Sequence, residues 1–314
     1  MVELRKLCKK YNDQVAVDDL SMTIGEGELC VLLGKSGCGK STTLRMINRL
    51  IEPTSGEIFV DGKNIREYDL EKFRMNVGYA VQNVGLFPHL TVENNIAIVP
   101  QLLKWDKEKT HARVEEMLDL VGLDVERFIH KHPSELSGGE AQRVGVARAL
   151  AGDPEIVLMD EPFGAVDPIN RARLQTEFRK IQKQLNKTVI FVTHDMEEAI
   201  RLGDKIAIME KGVLKGYDVP EKIMLADSSG FIQDFLGKDF ALKLLSRYLI
   251  ADSYEGLKDA NGDEGPAVSI NDNYLEALTY MLEKSDFEIG VKDEAGTVKK
   301  VLTLTDICKL IQEV

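Results

Sequence analysis

A chain of 314 residues, 44% hydrophobic and 29% charged, has the composition of an ordinary globular protein with room for about two domains. Its net charge of −12 argues against a general nucleic-acid binder, so no nucleic acid is expected as a partner. Cys8, Cys30, Cys38 and Cys308 form no C-x-x-C pair, which fits reduced thiols and neither a disulfide framework nor a zinc site.

The first residues hold no apolar signal core. No apolar stretch approaches the ~20 residues a spanning helix needs, so a membrane role has to come through a partner. Residues 1–30 predict an antiparallel β start that ends in the turn signal Gly25-Glu26-Gly27. Tyr11 reads as half-buried packing or as an aromatic that stacks on a base. Residues 29–33 are an apolar run of strand length. Next comes Gly34-Lys35-Ser36-Gly37-Cys38-Gly39-Lys40-Ser41-Thr42, and then Leu44, Ile47 and Leu50 at helical spacing with Pro53 past the end. Strand, Gly-rich turn, Lys-Ser and helix form the context of a phosphate-binding loop. The glycines allow several N–H groups to point into one concavity, and the helix N-terminus adds partial positive charge. Lys40 then reaches the β- and γ-phosphates, and the Ser41 hydroxyl suits Mg²⁺. Cys38 reads as a small filler of the loop or as an accessible thiol.

Residues 54–62 predict a strand and turn, and residues 75–82 a strand ending at the polar Gln82. From Phe87 to about Ala151 the pattern is helical, with Thr91 as a cap. Leu136-Ser137-Gly138-Gly139-Glu140 opens a helix that Gly152-Asp153-Pro154 stops, and its amides are an anion site by the physics of the phosphate loop. Residues 156–159 are a fully apolar strand ending in Asp160-Glu161, and residues 188–193 another ending in His194-Asp195. A basic amphipathic helix (171–185) lies between them, and a helix (196–202) and a hairpin (205–209 with 212–215) follow. Such alternation means an α/β fold with a parallel sheet covered on both faces and ligands at the carboxyl ends of its strands. Gln82, Asp160, Glu161 and His194 fall at those ends, with the phosphate loop. Of two adjacent acids, Asp160 can hold charge near a metal while Glu161 orients or deprotonates water.

The tail predicts a helix over about 231–249, a polar linker over 251–266 and a compact unit. That unit has a strand at 267–270, a helix at 274–283, strands at 287–291 and 298–304, and a last helix from Thr305 or Asp306. More than half of the acidic excess lies from Asp239 onward, which reads as a solvated surface.

Over roughly residues 1–240 the chain resembles the ATPase subunits of ABC transporters, with a helical subdomain over about 84–151. Leu136-Ser137-Gly138-Gly139-Glu140 is similar to the family's signature sequence, with Glu140 where Gln is usual. The resemblance implies a P-loop fold that binds ATP and Mg²⁺ and hydrolyses ATP. It makes Tyr11 the aromatic on adenine and residues 34–42 the phosphate loop. Gln82 senses metal and attacking water, Asp160 belongs with Ser41 to the Mg²⁺ shell, and Glu161 is the general base. Asp167 lies in the loop that couples two subunits, and His194 contacts the γ-phosphate. It also implies a head-to-tail homodimer in which Ser137, Gly138, Gly139 and Glu140 of one subunit close on the ATP of the other.

Residues 85–100 resemble the ATPases of quaternary-ammonium osmoprotectant importers, for glycine betaine, carnitine, choline or proline betaine. This implies docking on integral membrane permease subunits at the cytoplasmic face of the membrane, with a substrate-binding protein outside. The alternatives are import of another small solute, such as an amino acid, or a soluble ABC protein without a transport role. Residues 267–314, beyond a helix and linker at 241–266, resemble a single CBS domain, a small α+β unit, through Val301-Leu302-Thr303-Leu304-Thr305-Asp306. An adenine nucleotide or a cyclic dinucleotide is the implied ligand, although Lys300 stands where Gly is usual. So small a unit buries little surface alone, so the tails of two subunits are expected to pair.

Overall fold

The computed structural model describes residues 1–81, 85–164, 166, 168–223, 231–237, 240–260 and 265–313. They form two compact units, Met1–Tyr217 and Asp218–Val314, dividing earlier than the boundary at 240 expected from sequence.

The first unit contains two sheets. In one, β1 (Val2–Tyr11) pairs antiparallel with β2 (Gln14–Ile24) and β4 (Ser55–Val60), and β5 (Lys63–Asn64) extends the edge. Val2, Leu4, Leu7, Leu20, Met22 and Ile24 are buried from this sheet into a common core. In the other, six strands run β10-β9-β3-β8-β7-β6: β3 (Leu29–Leu33), β6 (Val77–Ala80), β7 (Ile156–Asp160), β8 (Thr188–Thr193), β9 (Lys205–Glu210) and β10 (Val213–Asp218). The pairs β3/β8, β3/β9, β6/β7 and β7/β8 are parallel. Every residue of β3, β7 and β8 is buried, which is why these strands read as unbroken apolar runs. Parallel pairing places the carboxyl ends of β3, β7 and β8 on one edge.

Helices α1 (Lys40–Ile47), α2 (Leu70–Met75), α7 (Pro168–Gln184) and α8 (Met196–Leu202) belong to this unit, with the predicted helical region between them. That region holds α3 (Val92–Leu102), α4 (Lys107–Leu120), α5 (Val125–Phe128) and α6 (Gly138–Ala151). Each starts where a side-chain oxygen accepts an orphan amide: Thr91, Asp106, Asp124 and Ser137. Ile96, Val114, Met117, Leu118, Val144 and Ala147 are buried from α3, α4 and α6. Among the described residues no helix is long and apolar enough to cross a membrane.

In the second unit the helix expected over 231–249 is broken. It consists of α9 (Phe231–Leu236) and α10 (Phe240–Leu244), because Gly237 takes a left-handed φ of 81° that ends α9. The expected linker is also partly structured: β11 (Lys258–Asp259) pairs antiparallel with β14 (Val298–Thr303). The sheet runs β11-β14-β13-β12, with β12 (Ala267–Ser269) parallel to β13 (Glu288–Lys292) and β13 antiparallel to β14. Helices α11 (Tyr274–Lys284) and α12 (Leu304–Glu313) complete it. Its core is made by Leu257, Val268, Ala277, Met281, Ile289, Val291, Leu302 and Ile307.

Candidate active site at the carboxyl edge of the parallel sheet

The phosphate loop turns from β3 directly into α1. The α1 N-cap is Gly39, at φ 106°, and this turn aims the first helical amides back along the loop. Lys40 is buried, and its Nζ donates to the carbonyls of Gly34 (2.6 Å) and Lys35 (3.0 Å), so its ammonium lies inside the loop. Cys38 is buried, with Sγ 3.8 Å from that ammonium, which settles it as a filler of the loop and not an accessible thiol.

Ser41 donates through Oγ to Asp160 Oδ1 at 2.9 Å, joining the loop to the end of β7. Burial pushes the Asp160 carboxyl above the usual carboxylate range, and the neighbouring Glu161 charge pushes the same way. The Ser41 hydrogen bond and the charges of Arg45 and Lys40 oppose the rise. A buried acid in this balance beside a hydroxyl is a site that a cation would relieve. The two oxygens form a hard donor pair of the kind Mg²⁺ uses with phosphates and water for the rest of its shell. The described residues hold no cluster of three or more His, Cys, Asp or Glu side chains able to cage a metal without such help.

Glu161 follows with φ 47°, a conformation uncommon for a side-chain-bearing residue. Its amide donates to Val192 O at 3.0 Å, which fixes the turn against β8. Its carboxylate Oε1 lies 3.0 Å from Nδ1 of His194 at the end of β8. Gln142 of α6 donates to the Glu161 carbonyl at 3.4 Å, a contact that spacing does not reveal. The structure therefore brings Lys40, Ser41, Asp160, Glu161 and His194 to one edge. Gln82 and Asp167 lie outside the described residues.

Five expected residues lie on other elements of the unit, Tyr11 on β1 and Ser137 to Glu140 at the start of α6. Tyr11 is 45% exposed at the end of β1, with Lys9 Nζ 5.0 Å from its ring centre. Ser137 and Glu140 form a capping box on α6: the Ser137 amide donates to Glu140 Oε2 at 2.7 Å and the Glu140 amide to Ser137 Oγ at 3.3 Å. These bonds hold the Glu140 carboxyl below the usual carboxylate range, the Ser137 amide contributing most. The carboxylate in place of the usual Gln is thus engaged with its own helix start. Gly138 and Gly139 are the next two residues of that turn.

A phosphate loop one strand removed from an acid-tipped strand, on an all-parallel edge, is the arrangement of a P-loop nucleoside triphosphatase. Comparison with known proteins narrows this. Residues 17–164 match the family model described as ABC transporter. The osmoprotectant import ATP-binding protein OsmV of Salmonella typhimurium is 48% identical over 250 residues, covering 78% of this chain and 65% of its own length. The glycine betaine/carnitine/choline transport ATP-binding protein OpuCA of Bacillus subtilis is 49% identical over 300 residues, covering 95% of this chain and 77% of its own. Among solved structures, the dimeric MJ0796 ABC transporter cassette superposes with a TM-score of 0.66 at 34% identity, covering 70% of this chain and 98% of that one. The chain belongs to the ABC transporter ATP-binding protein family.

Proposed function

We propose that the chain hydrolyses ATP to ADP and phosphate and so energises import of quaternary-ammonium osmoprotectants, namely glycine betaine, carnitine or choline. The observation that carries the reading is the Glu161–His194 pair at 3.0 Å, on the same edge as the Ser41–Asp160 pair and Lys40. Glu161 accepts a proton from water as the water oxygen bonds to the γ-phosphorus. The bond from that phosphorus to the β,γ-bridging oxygen breaks, and ADP leaves with the electron pair. His194 holds a γ-phosphate oxygen, and Lys40 neutralises β- and γ-oxygens. Ser41 and Asp160 would hold Mg²⁺, which when bound spreads the phosphate charge. Gln82 completes the set of metal and water contacts, and Tyr11 carries the adenine ring.

The subunits work as a head-to-tail homodimer. The Gly138 and Gly139 amides at the start of α6 close on the ATP of the other copy, where the helix dipole favours an anion. Asp167 couples the two sites. The permease docks on a groove of about 360 Å³ lined by Arg74, Tyr79, Gly85, Phe87, Ile98 and Arg148. The chain is then peripheral to the cytoplasmic face of the membrane, and a substrate-binding protein delivers the solute. The names of OsmV and OpuCA support the solute class. Residues 267–314 of the second unit serve as a CBS-like regulatory domain whose copies pair between subunits. Its ligand is an adenine nucleotide or cyclic dinucleotide, and the β-α-β-β-α order of β12 to α12 supports this reading.

The test is Glu161→Gln in the full chain. ATP binding, a stable ATP-dependent dimer by light scattering and loss of phosphate release are expected. Hydrolysis at the wild-type rate would overturn the site. Uptake of radiolabelled glycine betaine, carnitine or choline in cells carrying the chain with its permease tests the solute. Uptake of an amino acid in their place would overturn that part.

A further inference from the structure

Glu198 is a carboxylate that the hydrolytic site does not use, and it is 7% exposed. Both of its oxygens are engaged by neutral donors. Gln175 Nε2 of α7 donates to Oε1 at 2.8 Å, and Thr193 Oγ1 at the end of β8 donates to Oε2 at 2.6 Å. Gln175 and Thr193 are buried as well. A carboxylate buried on hydrogen bonds from neutral groups is costly even with the Arg171 charge nearby, and a packed apolar residue would hold α8 against the sheet more cheaply. What a side chain with two hydrogen-bonding atoms supplies here is a link between two elements.

The link continues to His194. The Thr193 hydroxyl, whose proton goes to Glu198, accepts from the Asp195 amide at 2.9 Å, so the backbone on both sides of His194 is pinned to one side chain. The His194 side chain itself is 64% exposed, so its aim at Glu161 depends on that backbone. A second rung lies one helical turn earlier on α7. Arg171 donates through Nη2 to the Val166 carbonyl at 2.9 Å, and its Nη1 lies 4.0 Å from Asp195 Oδ2. Asp195 in turn caps α8 by accepting from the Glu197 and Glu198 amides. The Val166 carbonyl and the turn carrying His194 therefore hang from the same helix.

We propose that Glu198 is a positioning residue for ATP hydrolysis, fixing His194 through Thr193 and tying its turn to α7 through Gln175. The proposal rests on the assignment of Glu161 and His194 to the hydrolytic site. Burial pushes the Glu198 carboxyl upward, and the Thr193 hydrogen bond opposes this.

Initial rates against ATP concentration on full-length protein test the proposal. Glu198→Ala is expected to lower kcat about 10- to 100-fold, as small misplacements of reacting groups do, with KM within about twofold. Thr193→Val breaks the next link and is expected to match it, and the double variant to fall no further than either single one. Glu198→Gln keeps an acceptor for Thr193 and offers its amide to the carbonyl of a turned Gln175, so it is expected to recover to within about threefold of wild type. A Glu198→Ala protein with lowered thermal stability but wild-type kcat overturns the proposal. So do additive losses in the double variant, or equal impairment of the Ala and Gln variants. Glu161→Gln run alongside separates the two failures: if it is inactive while Glu198→Ala is unimpaired, only the positioning role is lost.

Discussion

Two glycines of the phosphate loop are required for different physical reasons, and alanine at each separates them. At Gly34 a Cβ would lie 2.4 Å from the Met209 carbonyl oxygen and 2.7 Å from Cys38 Sγ, whereas ordinary contact begins near 3.4 Å. Met209 cannot give way cheaply, because β9 is laddered to β3 up to Leu33↔Ile208, immediately before the loop. The shortfall of about 1 Å has to be met by the loop, which displaces the carbonyl that holds Lys40. Overpacking of this kind costs about 1–3 kcal/mol, and a 1 Å displacement of binding groups costs about 100-fold in function. At Gly37 a Cβ meets nothing within 4 Å, and only the φ of 78° opposes it. That penalty is about 1–2 kcal/mol, with no collision transmitted to Lys40. Gly34→Ala is therefore expected to weaken binding of a fluorescent ATP analogue by about 100-fold, and Gly37→Ala by about tenfold or less. Equilibrium binding with urea unfolding on the same samples reads both quantities. Equal binding losses at the two positions, or a larger loss at Gly37, would refute the reasoning.

Glu140→Ala is expected to cost about 1 kcal/mol in urea unfolding at neutral pH, through loss of the capping box. Because folding depresses the Glu140 carboxyl, its contribution is complete above the unfolded-state pKa and is lost as pH falls through the folded one. The gap between wild type and variant should therefore close in acid, and a gap independent of pH would contradict this. Asp160→Asn keeps an oxygen for Ser41 but loses the charge. The Mg²⁺ concentration for half-maximal hydrolysis should rise about tenfold or more without loss of folded stability, as a Mg²⁺ titration and a melting curve will show. Glu161→Gly should be more stable than Glu161→Ala by about 1 kcal/mol, because glycine accepts the φ of 47° without strain, and neither should hydrolyse ATP. Met281→Ala empties a fully buried position of the second unit and should cost it about 2–5 kcal/mol. Hydrogen exchange should rise at Ile289 and Val291, with β3 unchanged as the control.

The parts of the site that were legible in sequence are those at the ends of apolar runs. Residues 29–33, 156–159 and 188–193 are buried on both faces, so each terminates abruptly at the loop, at Asp160-Glu161 and at His194. The order of these strands, with β8 between β3 and β7, is a property of the tertiary fold that no local pattern carries. The helix read over 231–249 failed for a related reason. Apolar spacing runs on from Phe231 and Leu236 to Phe240 and Leu244, but the left-handed turn at Gly237 ends the first helix and a 3-10 turn at Leu245–Arg247 ends the second. Lys258 and Asp259 are exposed and polar, so nothing in their composition announces a strand. Glu198 was invisible because an acid in the first turn of a helix normally complements the dipole in solvent. Its burial follows from Gln175 and Thr193, residues distant in sequence or unremarkable in type.

Glu161 joins more of the first unit than the proposed role of a base requires. Its amide is bonded to β8, its carboxylate faces His194 at the end of that strand, and its carbonyl accepts from Gln142. Gln142 lies on α6, within the second turn after the Ser137 cap. A shift of α6 along its axis therefore acts on the Glu161 carbonyl, and the left-handed backbone of Glu161 has little slack to absorb it. The α7 rungs act on the other half of the pair, through Thr193 and Asp195 on either side of His194. The Glu161 backbone carbonyl and the turn carrying His194 are thus held from different helices, one beginning at Gly138 and one following Val166. The two halves share β8, through Val192 on one side and Thr193 on the other, and each is tied in addition to a different helix where they meet at 3.0 Å. On the proposed assignment of Glu161 as the base, an alignment of this kind is sensitive to the position of the helical region, which is what hydrolysis coupled to closure of a second subunit would require.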